Sequence, residues 1–277
     1  MFDCGEGTQR QMMRHGVSFA LNDVFFTHFH GDHFLGIIGL VRTLGLQGRT
    51  DPMCFYGPPG ARRVLQEAVA LGVERPPFEI AIEEVQPGDC LDRGEYDIQV
   101  FSTEHTRYSV GFSIVEHERL GRFSPERARE LGVPEGPLWG QIHAGKTVTL
   151  ENGTTVAPDQ LVGPPRPGRK IVITGDTSPC ESVVNAADGA DLLIHEATFG
   201  EEEADRAKET RHSTAKEAGQ VALAARARRL VLSHLSARYS RDFTPILEQA
   251  REVFPETVVA RDGLTIEVPY PDAPDQA

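Results

Sequence analysis

Seven consecutive residues, Thr27-His28-Phe29-His30-Gly31-Asp32-His33, constrain this chain more than any others. They place three imidazoles and one carboxylate within six positions, directly after the apolar run Val24-Phe25-Phe26. Imidazole is the common metal ligand near neutral pH, and a carboxylate adds a harder oxygen donor. His28 and His30 are two apart, so on an extended backbone they project to the same side. Gly31 permits a sharp turn, after which Asp32 and His33 begin a helix predicted to run through Phe34-Leu35-Gly36-Ile37-Ile38-Gly39-Leu40. One strand end and one helix start then offer two pairs of ligands to two neighbouring ions. The plainer alternative is a polar loop whose histidines bond water. Four ligand-type side chains in six positions, set between a strand and a helix, argue against it.

A two-ion centre needs about seven donors including a bridge, because each ion wants four to five. Three further candidates follow apolar strand-like runs: His105 in Thr103-Glu104-His105-Thr106, Asp176 in Thr174-Gly175-Asp176-Thr177, and His234 in Leu232-Ser233-His234-Leu235. Sites in layered α/β folds gather at strand ends. Asp176 is the natural bridge, since a carboxylate can hold one ion with each oxygen. Each of the three alone reads as a turn or capping residue; with the opening stretch they read as ligands. His195, in His195-Glu196-Ala197-Thr198-Phe199, and His212, before a helix in Arg211-His212-Ser213-Thr214, remain notable. His15, His117 and His143 are assigned nothing.

Strands are expected at 53–56, 78–85, 97–102, 110–115, 170–174, 191–194, 230–233, 258–260 and 265–268, and helices at 9–15, 61–71, 179–187, 214–226 (capped by Ser213 or Thr214) and 245–254. Strands in both halves with helices between them fit two sheets packed face to face, helices outside. Between His117 and Pro167 the rhythm changes. A short helix at 127–131 is capped by Ser124-Pro125-Glu126, and Glu151-Asn152-Gly153 marks a hairpin turn. This reads as an inserted module, an ordinary loop elaboration or a binding arm, and it carries the only Trp. The tail from Pro269 is expected to fray.

The longest apolar run, Phe34 to Val41, is far short of the roughly 20 residues a membrane helix needs, so no membrane is expected. Four widely spaced cysteines without C-x-x-C fit free thiols in a reducing cytoplasm. A formal charge of −13 excludes a generally basic nucleic-acid coat but leaves room for a local basic patch.

The opening stretch resembles the H-x-H-x-D-H signature of the metallo-β-lactamase superfamily. Phe2-Asp3-Cys4-Gly5-Glu6-Gly7-Thr8-Gln9, Gly175-Asp176-Thr177, His195-Glu196-Ala197-Thr198-Phe199, His212-Ser213-Thr214 and Ser233-His234-Leu235-Ser236-Ala237-Arg238-Tyr239 extend the resemblance to its ribonuclease Z family, the tRNA 3′-processing endonucleases. The resemblance implies an α/β fold, a metallo-β-lactamase-type αββα sandwich, with an inserted tRNA-binding arm at 118–163. It implies two zinc ions per chain, a homodimer, and precursor tRNA as substrate. His28, His30, His105 and Asp176 would hold one ion, and Asp32, His33, Asp176 and His234 the other. Asp32 would activate water, and His212, supported by Glu196, would donate a proton. Gly136, Pro137 and Leu138 match the Gly-Pro piece of the family's arm. Arg238 and Lys170 are candidates to hold backbone phosphates, and equally plain solvated charges.

One departure stands out. Members of the family usually begin about thirty residues earlier, with a first hairpin and a substrate-contacting loop. The chain is therefore read as a single domain, 1–277, lacking its first strands, and a wrongly chosen start codon is the preferred explanation. Two rival functions are a small-molecule hydrolase of the superfamily, such as a thioesterase or lactonase, and an inactive RNA-binding protein. The inserted module and the His212 piece favour the nuclease, because small substrates need neither.

Overall fold

A computed structural model describes residues 1–72 and 75–271. The first sheet is parallel, in the order β1 (Asp23–Phe25), β2 (Met53–Gly57), β3 (Ile80–Glu84). The residues before it extend its edge: Phe2 bridges Phe25, and the Asp3 N–H donates to the Phe25 carbonyl at 2.8 Å. Next come β4 (Cys90–Asp92), β5 (Tyr96–Ser102) and β6 (Val110–Glu116). A separate hairpin of β7 (Val148–Thr149) and β8 (Thr155–Val156) follows, and then β9 (Lys170–Ile173), β10 (Leu192–Glu196), β11 (Leu230–Ser233) and β12 (Thr257–Val259). The second sheet has the order β12-β11-β10-β9-β6-β5-β4, with β9 to β12 parallel. Strands buried on both faces read as continuous apolar runs, as in Leu192-Leu193-Ile194 and Leu230-Val231-Leu232.

Period-2 alternation sorts the side chains into layers. In β1, Phe25 points to the second sheet and joins Val85, Ile98, Val100, Val110 and Phe112, while Val24 and Phe26 meet the outer helices through Ile37, Leu40 and Leu65. On the other side Leu193, Leu230 and Leu232 pack on Ala215, Ala218, Ile246 and Ala250. The sandwich with outer helices is the architecture expected from the sequence.

Two expectations need correction. The helix after Gly31 is two helices, Gly31–Phe34 and Ile37–Leu46. The break falls where Gly36 lies against Gly5, so close that an added Cβ would sit 1.7 Å from the Gly5 carbonyl oxygen. The Gly36 N–H donates to Cys4 and the Cys4 N–H to the His33 carbonyl, which ties the first loop to the helix carrying Asp32 and His33. Residues 265–268 form no regular strand. None of them is buried, so they offer no face to pack, and Pro269 follows. The short helices Pro137–His143 and Ala204–Thr210 were not expected.

The chain divides into two compact units. The first is Met1–Val115 with Lys170–Val268; the second is Glu116–Arg169 with the residues from Pro269 on. The second unit has its own small core of Ala128, Val133, Ile142, Val148, Leu150, Val156 and Leu161. Ser124 caps its helix Pro125–Glu130, accepting from the Arg127 N–H, and Asn152-Gly153 turns the hairpin with Gly153 at φ +82°. At the start of the tail, Tyr270 lies under the guanidiniums of Arg119 and Arg169. The sequence predicts a tail that frays from Pro269; Tyr270 is packed in this way, and residues 272–277 lie outside the described residues.

Candidate metal centre

Strand ends of both sheets meet at one edge of the sandwich, where the Val110 N–H donates to the Thr27 carbonyl at 3.0 Å. Asp176, 2% exposed, sits at the middle of the donors. Its Oδ2 lies 3.6 Å from His28 Nε2, 3.7 Å from His105 Nε2 and 3.5 Å from His234 Nε2, and its Oδ1 lies 3.3 Å from His33 Nε2. Asp32 Oδ2 is 3.1 Å from His234 Nε2 and 3.7 Å from His33 Nε2, and His30 Nδ1 is 3.1 Å from His105 Nε2. All seven expected ligands are thus brought together. They fall into His28, His30, His105 and Asp176 on one side and Asp32, His33 and His234 on the other, each with donor atoms within 4.8 Å of one another.

The donors fit a cation by a separate criterion. His28 Nε2, His33 Nε2 and Asp176 Oδ1 are buried and lack a hydrogen-bond partner. Orphaned buried polar atoms are costly, and three converging here are satisfied together by a positive ion. Burial, then the neighbouring imidazoles, push His28 down to about 3, so it is neutral with a lone pair to offer. Burial also disfavours charge on His33, but the carboxylates of Asp176 and Asp3 beside its ring outweigh this and raise it to about 10. The site therefore draws in a positive charge, and a metal ion can supply it in place of a proton.

Behind the donors stands a set of acceptors that fixes each ring, since a ligating imidazole needs its other N–H held. His33 Nδ1 donates to Asp3 Oδ2 at 2.7 Å. The Thr27 hydroxyl donates to the same oxygen at 2.8 Å and faces His28 Nδ1 at 3.1 Å. His105 Nδ1 donates to the Arg211 carbonyl at 2.9 Å, and His234 Nδ1 meets Thr198 Oγ1 at 2.8 Å. Asp3, Arg211 and His234 have φ of +50°, +57° and +54°, a region that residues other than glycine seldom adopt and that clusters at functional sites. Asp3 escaped the sequence reading. Its one visible signal is its place at a strand end within Phe2-Asp3-Cys4-Gly5.

Glu196, 1% exposed, lies beside the cluster. Its Oε1 accepts from the Thr177 N–H at 2.7 Å and from His212 Nδ1 at 2.8 Å. Its Oε2 accepts from the Thr198 hydroxyl at 2.6 Å and from the Thr198 and Ser213 N–H groups at 3.2 Å each. The His212 ring stacks on His234 with centroids 5.4 Å apart. Burial lowers the His212 pKa, but the bond to Glu196 and the carboxylates around it win, and the net shift is upward. His212 does not cap the following helix. Thr214 does, accepting from the Glu217 N–H while Glu217 returns the bond.

Other candidates lie elsewhere. His195 is fully buried and folds back onto the Glu196 carbonyl at 2.7 Å. Lys170 starts β9, at the end opposite Asp176, and donates to the Asp188 carbonyl, away from the donors. Arg238 pairs with Glu203 and covers the Phe199 ring, whose centroid is 6.0 Å from that of His212. Gly136, Pro137 and Leu138 belong to the second unit, at the start of its helix Pro137–His143.

No family model matches the chain. It is 56% identical over 270 residues to Ribonuclease Z of Gemmatimonas aurantiaca, covering 97% of this chain and 86% of that protein. It is 53% identical over 273 residues to Ribonuclease Z of Myxococcus xanthus, covering 98% and 89%. Among solved structures it is similar to human tRNase Z, short form, with a TM-score of 0.67, 30% identity, and coverage of 97% of this chain and 87% of that one.

Proposed function

The chain belongs to the ribonuclease Z family, and we propose from this premise that it is a metal-dependent endoribonuclease that removes the 3′ trailer of precursor tRNA and leaves a 3′ hydroxyl. The observation that carries the reading is the convergence of seven donors on Asp176, with the His212–Glu196 pair stacked against one of them.

In this reading His28, His30, His105 and Asp176 hold one zinc ion, and Asp32, His33, Asp176 and His234 hold a second. The two groupings of donors support that division. Bound zinc stabilises charge on a phosphoryl group and lowers the pKa of a coordinated water from 15.7 to about 7. The Asp32 carboxylate, 60% exposed and so open to solvent, orients the attacking water and takes its proton. Water oxygen bonds to phosphorus as the bond from phosphorus to the 3′ oxygen breaks. His212, with Nδ1 held by Glu196, delivers a proton from Nε2 to that 3′ oxygen. Gly136, Pro137 and Leu138 belong to a tRNA-binding arm within the second unit.

A homodimer and a cytoplasmic location complete the reading. The homodimer is carried over from the family resemblance, and all four cysteines are free thiols, as a reducing cytoplasm keeps them. Among the described residues no helix is long and apolar enough to cross a membrane.

The test uses the purified full chain. Elemental analysis is expected to find close to two zinc ions per chain, sedimentation twice the chain mass, and incubation with precursor tRNA a product ending in a 3′ hydroxyl. A metal-free protein with full nuclease activity ends the reading, and a metal-loaded protein inert on precursor tRNA returns the small-molecule hydrolase. Deleting residues 118–163, which contain no donor, is expected to weaken cleavage of precursor tRNA by at least about tenfold, or roughly 1.4 kcal/mol of lost binding. Hydrolysis of bis(p-nitrophenyl) phosphate should stay near wild type. Equal losses on both substrates would make the segment a structural part of the first unit.

A further inference from the structure

We propose that the Thr198 hydroxyl is a positioning group that ties the metal ligand His234 to Glu196, so that one oxygen atom serves both the metal centre and the proton donor. The inference rests on the two-zinc reading above and adds a residue to it. The Thr198 hydroxyl donates to Glu196 Oε2 at 2.6 Å. The oxygen's lone pairs then face His234 Nδ1 at 2.8 Å, and that nitrogen must carry the proton. The tautomer is thereby set, and Nε2 keeps its lone pair toward Asp32, at 3.1 Å, and Asp176, at 3.5 Å.

Thr198 is itself clamped. Its N–H donates to Glu196 Oε2, and its carbonyl accepts from the Ser236 N–H two residues beyond His234, at 3.1 Å. The hydroxyl cannot turn away without leaving Glu196 a donor short in a buried place. The same device recurs on the other flank of the centre. Asp3 holds His33 directly and faces His28 through the Thr27 hydroxyl, as Glu196 holds His212 directly and His234 through Thr198. Two independent instances of carboxylate, threonine and histidine in series show an arrangement that the fold builds twice, using different strands.

Thr198→Val removes the hydroxyl at nearly constant shape, and Thr198→Ser keeps it. Each holoprotein would be dialysed against rising concentrations of a zinc chelator, and zinc retained per chain measured by elemental analysis. Circular dichroism would report the fold. Thr198→Val is expected to give up one of its two zinc ions at about 10–100-fold lower chelator concentration, the usual effect of removing a group that orients a ligand. The other ion should leave as in wild type, and Thr198→Ser should follow the wild-type curve throughout. With zinc resupplied in excess, Thr198→Val should still turn over precursor tRNA about tenfold more slowly or worse at unchanged KM, because Glu196 has lost a donor and not the RNA a contact. A Thr198→Val curve superposed on wild type, or a Thr198→Ser curve displaced as far as that of Thr198→Val, overturns the proposal alone. A wild-type protein without zinc overturns both this proposal and the functional reading beneath it.

Discussion

His212→Ala is expected to keep its metal and its affinity for precursor tRNA while turnover falls by about 10²–10⁴, the usual worth of a general acid. The geometry separates this side chain from a purely structural one. Its Nδ1 is committed to Glu196, its ring lies against His234, and Thr214 caps the helix that follows. Loss of the ring also takes a donor from buried Glu196, so some stability goes with it, and the fall in turnover, not in stability, marks the proton donor. The defect should shrink on bis(p-nitrophenyl) phosphate, because a nitrophenolate departs without a proton. Metal content on the same preparation excludes the other geometric possibility, since His212 also lies within ligand reach of Asp176 and His234. Wild-type turnover on precursor tRNA would remove His212 from the mechanism, and loss of an ion would make it a ligand.

Asp176→Ala should show the other extreme, losing metal and activity together on every substrate. Four imidazole Nε2 atoms lie within 3.7 Å of this one carboxylate, which is buried and bridges the two groups of donors. Its removal leaves no carboxylate on one side and only the exposed Asp32 on the other to balance the charge of the ions. Loss of a catalytic metal forfeits several kcal/mol of transition-state stabilisation, so turnover should fall by at least about 10³ on precursor tRNA and on the small phosphodiester alike. Elemental analysis and both rate measurements check this. An Asp176→Ala protein that retains its metal and its rate would show that the donors do not form one centre.

The candidate donors could be read from the chain, because most stand just after an apolar run and local periodicity reveals where a strand stops, while Asp32 and His33 follow at the helix start after Gly31. Val24-Phe25-Phe26 before His28, β9 before Asp176 and β11 before His234 all show it. The faces of β1 follow an equally local rule, since side-chain direction in a strand depends only on neighbours in sequence. The helix break at Leu35-Gly36 could not be read, because Gly36 is helix-compatible by itself and the cause, the backbone of Gly5, is 31 positions away. The same limit hid the groups that hold the rings. Asp3 acts on His33 and Thr27 across 30 and 24 positions, and Arg211 on His105 across 106. Thr198 meets His234 across 36. A metal ligand is set by residue type and spacing, which the sequence alone carries. The tautomer and aim of that ligand are set by whichever acceptor the tertiary fold brings within hydrogen-bond distance, from a neighbouring strand end or loop far away in sequence.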